Sequence, residues 1–251
     1  MLKLERTLPL FSLLTTFLLT AACTSSAART KASFHYQMGL SYLGENNITG
    51  ALVELTEAEK ITPDDPELLN KLALAYFYKK RYDLAEQRYL KALKIKPEFS
   101  EARNNLGVNY LRLSRWDDAI HQFKLVTDDI FFGNPEEANI NLGLAYFGKG
   151  DYQNALTLIR CVVTNNSRSM LGRLHLGRIY FAMDKPDLAI GEYRKALGIN
   201  KDFPMAHYQL ALAYLRIKEN AQAKASFEEV VRLAPDSEIG QLSREYIDML
   251  K

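Results

Sequence analysis

The chain has 251 residues, of which 47% are hydrophobic and 25% are charged, and this balance excludes an intrinsically disordered protein. Its formal net charge is only +2, from 32 basic and 30 acidic side chains. A nucleic-acid-binding surface is excluded as well, because binding to phosphates needs a concentrated excess of basic residues.

The N-terminal residues have the order of an export signal, which predicts a signal peptide at 1–22. Lys3 and Arg6 make the start basic, and the apolar run LPLFSLLTTFLL is too short to span a bilayer readily. Small residues then lead to Cys23. This order resembles a bacterial lipoprotein signal, in which cleavage occurs before the cysteine and its sulfur receives a diacylglyceryl group.

The same resemblance implies that residues 23–31 form a lipidated tether. Several acyl chains, palmitate among them, would hold the protein stably where a single chain would not. Lipoproteins of this kind carry Asp after the cysteine when they stay in the inner membrane. Thr24 stands there instead, which implies anchoring at the periplasmic face of the outer membrane. Two alternatives remain open: ordinary secretion with cleavage after Ala27, and an uncleaved N-terminal anchor.

A 34-residue pattern then recurs along the chain, and it is clearest at 66–99. Leu69, Leu72, Ala73 and Tyr76 occupy positions 4, 7, 8 and 11 of this unit, and their spacing is that of one face of a helix. After a polar turn, a second helical stripe follows at positions 20, 24, 27 and 28, and a proline at position 32 ends the unit. The pattern therefore predicts a pair of helices.

Six such units are predicted, and each has Tyr at position 11 and Ala at position 20. The third unit is lengthened to 36 residues by the segment DDIFFGNP at 128–135. One more amphipathic stretch at 238–251 predicts a capping helix, which a terminal repeat needs for solubility. The units lie at 32–65, 66–99, 100–135, 136–169, 170–203 and 204–237.

This pattern resembles the tetratricopeptide repeat family, with small residues at positions 8, 20 and 27 and aromatic residues at 11 and 24. The resemblance implies an all-α fold, a right-handed superhelical solenoid of six tetratricopeptide repeats with a C-terminal capping helix. Stacking is required, because one helix pair cannot bury its own apolar faces.

Each first helix carries a second stripe at positions 5, 9 and 12, which in tetratricopeptide proteins lines a concave groove for a protein segment. The stripe is mostly apolar, which predicts an amphipathic or extended apolar partner. An alternative is that position 12 serves to contact the neighbouring repeat. The predicted partner-binding residues are Tyr36, Leu40, Leu43, Asn70, Leu74, Phe77, Asn104, Val108, Leu111, Leu144, Phe147, Arg178 and Phe181.

Position 9 is the most informative row of this stripe. Leu40, Leu74 and Val108 stand where chaperone-binding members have the asparagine of their carboxylate clamp, so that ligand is not expected. Arg178 is the one charge in the row. It could pair with an acidic residue of a partner, although such a side chain more often lays its stem on apolar neighbours and keeps its charge in water.

An enzyme is not predicted, and neither is a cofactor, a metal ion or a small-molecule substrate. The four histidines show no metal-ligand spacing, and no nucleophile motif such as G-x-S-x-G is present. Cys161 lies on a predicted second helix and is expected to be a mostly buried small residue. The histidines are His35, His121, His175 and His207.

A lipoprotein signal, a short tether and six repeats together resemble the type IV pilus biogenesis lipoproteins, the pilotins of PilF, PilW and Tgl type. The irregular centre, from Phe131 through the Asn-Pro-Glu at 134–136 to NLGLAYFGKGDYQNAL, is similar to that family's junction between its third and fourth repeats. The resemblance implies an outer-membrane lipoprotein that binds secretin subunits and promotes their localisation and multimerisation. An alternative is a scaffold for barrel assembly, polysaccharide export or cell-wall enzymes.

Overall fold

The structure is a computed structural model that describes the backbone of residues 10–250 and the side chains of residues 26–250. Throughout that range the regular structure is helical, and no strand is present, which confirms the predicted all-α class and the solenoid of helix pairs. The thirteen helices are α1 (Leu10–Gly44), α2 (Ile48–Ile61), α3 (Pro66–Tyr78), α4 (Tyr82–Ile95), α5 (Ser100–Arg112), α6 (Trp116–Thr127), α7 (Pro135–Lys149), α8 (Tyr152–Asn165), α9 (Met170–Ala182), α10 (Pro186–Ile199), α11 (Pro204–Arg216), α12 (Asn220–Leu233) and α13 (Glu238–Met249).

The backbone of the predicted tether at 23–31 is part of helix α1, whereas the lipid predicted for it lies outside the description. The side chain of Cys23 is not among the described side chains, and residues 1–9 of the predicted signal peptide lie outside the described backbone. Lipid attachment at Cys23 therefore stays a prediction. Among the described residues, no helix combines the length and the apolar character that crossing a bilayer requires.

Six of the described helices, α2, α3, α7, α8, α9 and α13, begin where a side chain accepts a hydrogen bond from the first turn. Asp65 precedes α3, and its carboxylate accepts hydrogen bonds from the N–H groups of Glu67 and Leu68 at 3.0 and 3.2 Å. Pro66 occupies the first position of that helix, where an N–H group is not needed. These local devices fix the start of a helix from a few residues of sequence.

The turn inside each helix pair is the same in all six repeats. In the second repeat the N–H of Arg81 donates to the carbonyl of Tyr76 at 3.0 Å, and the residue between the helices, Lys80, has a left-handed backbone. This geometry closes the end of the first helix and sets the direction of the second. The left-handed residues are Asn46, Lys80, Ser114, Gly150, Asp184 and Lys218.

The chain forms two compact units, one ending at Asn109 and one beginning at Tyr110. In each unit the two helices of a repeat meet where a small residue faces a large one. A Cβ atom added at Gly39 would lie 2.6 Å from Leu55, and one added at Gly143 would lie 2.7 Å from Ile159. The position 8 glycines therefore allow the helices to approach closely.

In the second unit, the single tryptophan of the chain, Trp116 in the third repeat, packs against the fourth repeat. A Cβ atom added at Gly148 of α7 would lie 2.5 Å from the Trp116 ring of α6. The connecting loop at 128–134 leaves Ile130 and Phe131 almost fully exposed. At the other end, Tyr246 of α13 stacks on a core aromatic of α12 with ring centroids 4.8 Å apart.

The expectation for Cys161 is wrong, because this cysteine is exposed. The buried stripe of α8 contains Ala155, Ile159 and Val162, at the spacing of one helix face. Cys161 lies two residues beyond Ile159, which places it about 200° around the helix on the outer side.

Candidate protein-binding surface

The first helices of the first unit join each other through polar side chains. The Asn70 side chain is fully buried; its Nδ2 donates to Glu101 Oε1 at 3.0 Å, and its Oδ1 accepts from Asn105 Nδ2 at 3.0 Å. Lys71 Nζ lies 2.7 Å from the same Glu101 oxygen. Asn104 is also buried. The prediction that these two asparagines line an open groove is corrected, since Asn70 is used to connect α3 with α5.

The rest of the predicted row in the first unit stays partly accessible. Tyr36, Leu40, Leu43, Leu74, Phe77 and Val108 are partly buried, and so is Leu111, which belongs to the second unit. Apolar side chains therefore remain for a partner on this face after its amides have been used internally.

Tyr36 lies on α1, the first helix of the first repeat, near the carboxylates of Asp65, Glu67 and Glu101. It lines a cleft of about 330 Å³ together with Asp65 and Leu68. Burial raises the pKa of Tyr36, and the negative charges of Asp65, Glu67 and Glu101 raise it further. Its phenol is therefore a neutral hydrogen-bonding group over the physiological pH range.

The corresponding face of the second unit is apolar instead of polar. Ile140 and Leu174 take the position that Asn70 holds in the first unit, and both are buried. Leu144, Phe147 and Phe181 pack against the core of this unit while remaining partly accessible. The position 12 residues thus serve the packing between helices and also leave surface that a partner can cover.

Arg178 is held on this apolar face by two neighbours. Its guanidinium lies 5.2 Å from the centroid of the Phe147 ring, within the range of a cation–π contact. Its Nη1 lies 3.3 Å from His175 Nδ1. Arg178 is thus partly accessible and lies against an aromatic neighbour, and burial lowers the pKa of Arg178.

The contact with Arg178 also determines the protonation state and the tautomer of His175. Burial, followed by the charge of Arg178, lowers the pKa of His175 to about 4. A guanidinium can only donate hydrogen bonds, so Nδ1 of the neutral imidazole is the acceptor and its proton resides on Nε2. Arg178 and His175 consequently form a pair of hydrogen-bond donors on an apolar surface.

An open cleft adjoins this pair. It has a volume of about 450 Å³, and its apolar walls are Ile140, Leu144 and Leu171, with His175 at one side. Glu136 and Glu137 also line this cleft. The cleft therefore combines apolar walls with two carboxylates and a neutral imidazole.

The histidines and carboxylates of the described residues are dispersed over the helices. Within residues 26–250, no three His, Cys, Asp or Glu side chains are grouped as a metal site would require. His35, one of the histidines considered from sequence, is instead close to a carboxylate, with its Nδ1 2.7 Å from Glu54 Oε2.

His175 is the residue of this surface that sequence reasoning missed. It had been considered only as a possible metal ligand. Its spacing of three residues from Arg178 was the available signal, because side chains three apart lie on the same helix face.

With this geometry in place, the family assignment follows. A tetratricopeptide repeat model matches residues 74–114 and 177–218, a second matches 104–168, and a third matches 206–237. The repeated helix pairs, the small residues between them and these matches agree. The chain is a tetratricopeptide repeat protein.

Two solved structures are similar over almost their whole length. PilW, described as a widely conserved type IV pilus biogenesis factor, has a TM-score of 0.75 and 20% sequence identity, covering 84% of this chain and 97% of the other. PilF of Pseudomonas aeruginosa has a TM-score of 0.69 and 19% identity, covering 87% and 99%. At these identities the likeness establishes the fold.

A curated relative is much longer. The BBSome complex member BBS4 of Bos taurus is 24% identical over 202 residues, which are 79% of this chain. The matched region spans only 38% of the length of BBS4. This relative shares the repeats and has a different overall extent.

Proposed function

We propose that this chain is an outer-membrane lipoprotein that binds secretin subunits and promotes their localisation and multimerisation in type IV pilus assembly. The observation that supports this most is the mutual coverage with PilW, which includes 97% of that chain and 84% of this one. The predicted lipid at Cys23 would supply the anchor on the periplasmic side.

The binding step in this proposal is non-catalytic. Partly accessible apolar side chains of the first helices, such as Leu74, Leu144 and Phe147, would cover an apolar stretch of a secretin subunit and keep it from aggregating. Burying apolar area provides the free energy, at about 25 cal/mol per Å². Several repeats acting together provide the extended surface that such a segment needs.

The experiment is site-specific photo-crosslinking of the full lipoprotein in its native membrane. Crosslinkers are placed at Leu74 and Leu144 on first helices, with matched controls at the exposed Gln87 and Gln153 on second helices. Secretin should be captured from the first pair of positions and not from the second, and deletion of the gene should remove secretin multimers. Cys23→Ala should release the protein from the outer membrane.

Other results would reject the proposal. Capture of barrel-assembly or cell-wall proteins, together with secretin multimers that persist after deletion, would assign the scaffold to another envelope machine. A Cys23→Ala protein that still sediments with the outer membrane would show that lipid is not the anchor.

A further inference from the structure

Arg178 is a partly buried cation for which the described part of the second unit provides no carboxylate. Its contacts are the Phe147 ring and His175, and neither carries a negative charge. The buried carboxylate of the same repeat, Glu192, is already bonded to Arg173 at 2.8 Å and to Lys195 at 2.7 Å. Removing a cation from water without a counter-charge costs free energy, and binding an anion offsets part of that cost.

Glu136, which lines the adjoining cleft, does not supply that counter-charge either. Glu136 accepts hydrogen bonds from Asn166 at 2.8 Å and from Ser169 at 2.6 Å. It stands in the first turn of α7, eight residues before Leu144, which corresponds to about 12 Å along the helix axis. Glu136 is therefore bonded within its own repeat and does not neutralise Arg178.

We propose that Arg178 and His175 bind the carboxylate of an internal Asp or Glu in an otherwise apolar segment of the protein partner. This inference deepens the proposed function and rests on it only for the statement that the partner is a protein. The ligand is a single carboxylate, because one cation among apolar side chains does not provide the repeated basic contacts that a nucleic acid needs.

The geometry suits a carboxylate in three respects. A guanidinium presents a planar fork that matches both carboxylate oxygens, and the Phe147 ring, with its centroid 5.2 Å away, holds the guanidinium on this face. The Nε2–H of His175 adds a further donor beside it. Leu144 and Phe147 lie beside both donors, and these apolar surroundings strengthen a charged hydrogen bond.

The test starts from the segment that a photo-crosslinker at Leu144 captures in native membranes. That segment is synthesised in two forms, one with its Asp or Glu residues and one with the matching Asn or Gln. Both peptides are titrated against the purified full lipoprotein and against three variants. Arg178→Met removes the charge and keeps an apolar stem, Arg178→Lys keeps the charge without the fork, and Lys149→Met is a matched control at an exposed lysine.

We expect the amide peptide to bind the native protein about tenfold more weakly than the acidic peptide, since a charged hydrogen bond is lost. With Arg178→Met the two peptides should bind equally, within about twofold, and with Arg178→Lys about threefold discrimination should remain. Lys149→Met should discriminate as the native protein does. A urea transition for Arg178→Met that coincides with the native one shows that the fold is intact.

The inference is overturned if the native protein does not discriminate, if Arg178→Met discriminates fully, or if Leu144 captures no segment or one without an acidic residue. Should Arg178→Met fail to fold, Arg178→Lys decides, because unchanged tenfold discrimination in it would also overturn the planar-fork contact. A captured segment that shows the expected discrimination but does not come from secretin would reject the proposed function and leave this inference standing.

Discussion

The two units use the same repeat, and both join neighbouring repeats by ion pairs, but they add different contacts to those pairs. In the first unit the connections are ion pairs and amides, with Arg88 2.9 Å from Glu59 and Asn70 bonded to Glu101 at 3.0 Å. In the second unit a basic side chain at position 25 of one repeat reaches the position 11 tyrosine of the next. These pairs are Lys124 with Tyr146, Arg160 with Tyr180, and Arg194 with Tyr214.

Two positions on the first helices decide whether an amide connection such as that of Asn70 with Glu101 can form. Position 2 is Glu101 in the third repeat and Leu171 in the fifth, and position 5 is Asn70 in the second repeat and Leu174 in the fifth. With a carboxylate and an amide, the first unit satisfies its polar groups internally. With apolar residues at both positions, the second unit has no such partner for Arg178. Residues outside the repeat signature therefore decide whether this face of the first helices connects neighbouring repeats or remains available to a partner.

Acid should produce the largest effect, and it should act through His175 in the second unit. The pKa of His175 is about 4 in the folded protein and about 6.5 in the unfolded chain, so the unfolded chain binds a proton first as the pH falls. The free energy of unfolding should therefore decrease from pH 6.5 downward, by about 3 kcal/mol at pH 4. Urea unfolding of the native protein and of His175→Asn at pH 7 and pH 4 measures the contribution of this histidine.

The asparagine variant is the control, because its side-chain oxygen can accept the hydrogen bond from Arg178 without titrating. It should lose about 3 kcal/mol less than the native protein over the same pH interval. Hydrogen exchange at pH 4 should show α9 losing protection before α3. An equal loss in both proteins would show that His175 is not the acid-sensitive group.

An intermediate effect is expected when the amide connection of the first unit is removed. Asn70→Ala takes away the acceptor of Asn105 and one donor to Glu101, inside a fully buried site. Losing two hydrogen bonds, one of them to a charged carboxylate, costs about 1 to 3 kcal/mol, so the free energy of unfolding should fall by that amount. Urea denaturation of the full chain is the measurement.

Lys71→Ala provides the comparison for Asn70→Ala, because it removes an accessible ion pair to the same Glu101. Its cost should stay below about 1 kcal/mol, which is the usual value of such pairs. If the two variants are equally stable, the amide is not what connects α3 with α5 in the first unit.

The smallest expected effect separates the two kinds of tyrosine contact. Tyr214→Phe removes a hydroxyl that accepts from Arg194 at 2.6 and 3.1 Å, and it should cost about 0.5 to 1.5 kcal/mol. Tyr76→Phe in the first unit keeps the ring beneath Arg88 at 5.9 Å and should cost less than about 0.5 kcal/mol. Thermal unfolding of both variants checks the difference, and equal shifts would mean that the tyrosine hydroxyls do not distinguish the units.

Much of the local structure could be predicted because it depends on residues close in sequence. The stripe through Leu69, Leu72 and Tyr76 predicts a helix by its period alone. The left-handed turn residue was harder, since Gly150, Asn46 and Asp184 are of types that favour that backbone, whereas Lys80, Ser114 and Lys218 are not. At Lys80 the conformation is imposed by the packing of the two helices and not by the preference of lysine.

The sequence by itself determined the all-α fold, the number of repeats and the apolar character of the first-helix face, since these follow from spacing. The tertiary structure decided which side chains of that face are used internally. Asn70 is buried because Glu101 and Asn105 from the next repeat meet it. Arg178 is held against Phe147 and has no carboxylate among the described residues, because Leu171 and Leu174 stand where the first unit has polar side chains. Such contacts depend on residues about one repeat apart, which a local pattern does not specify.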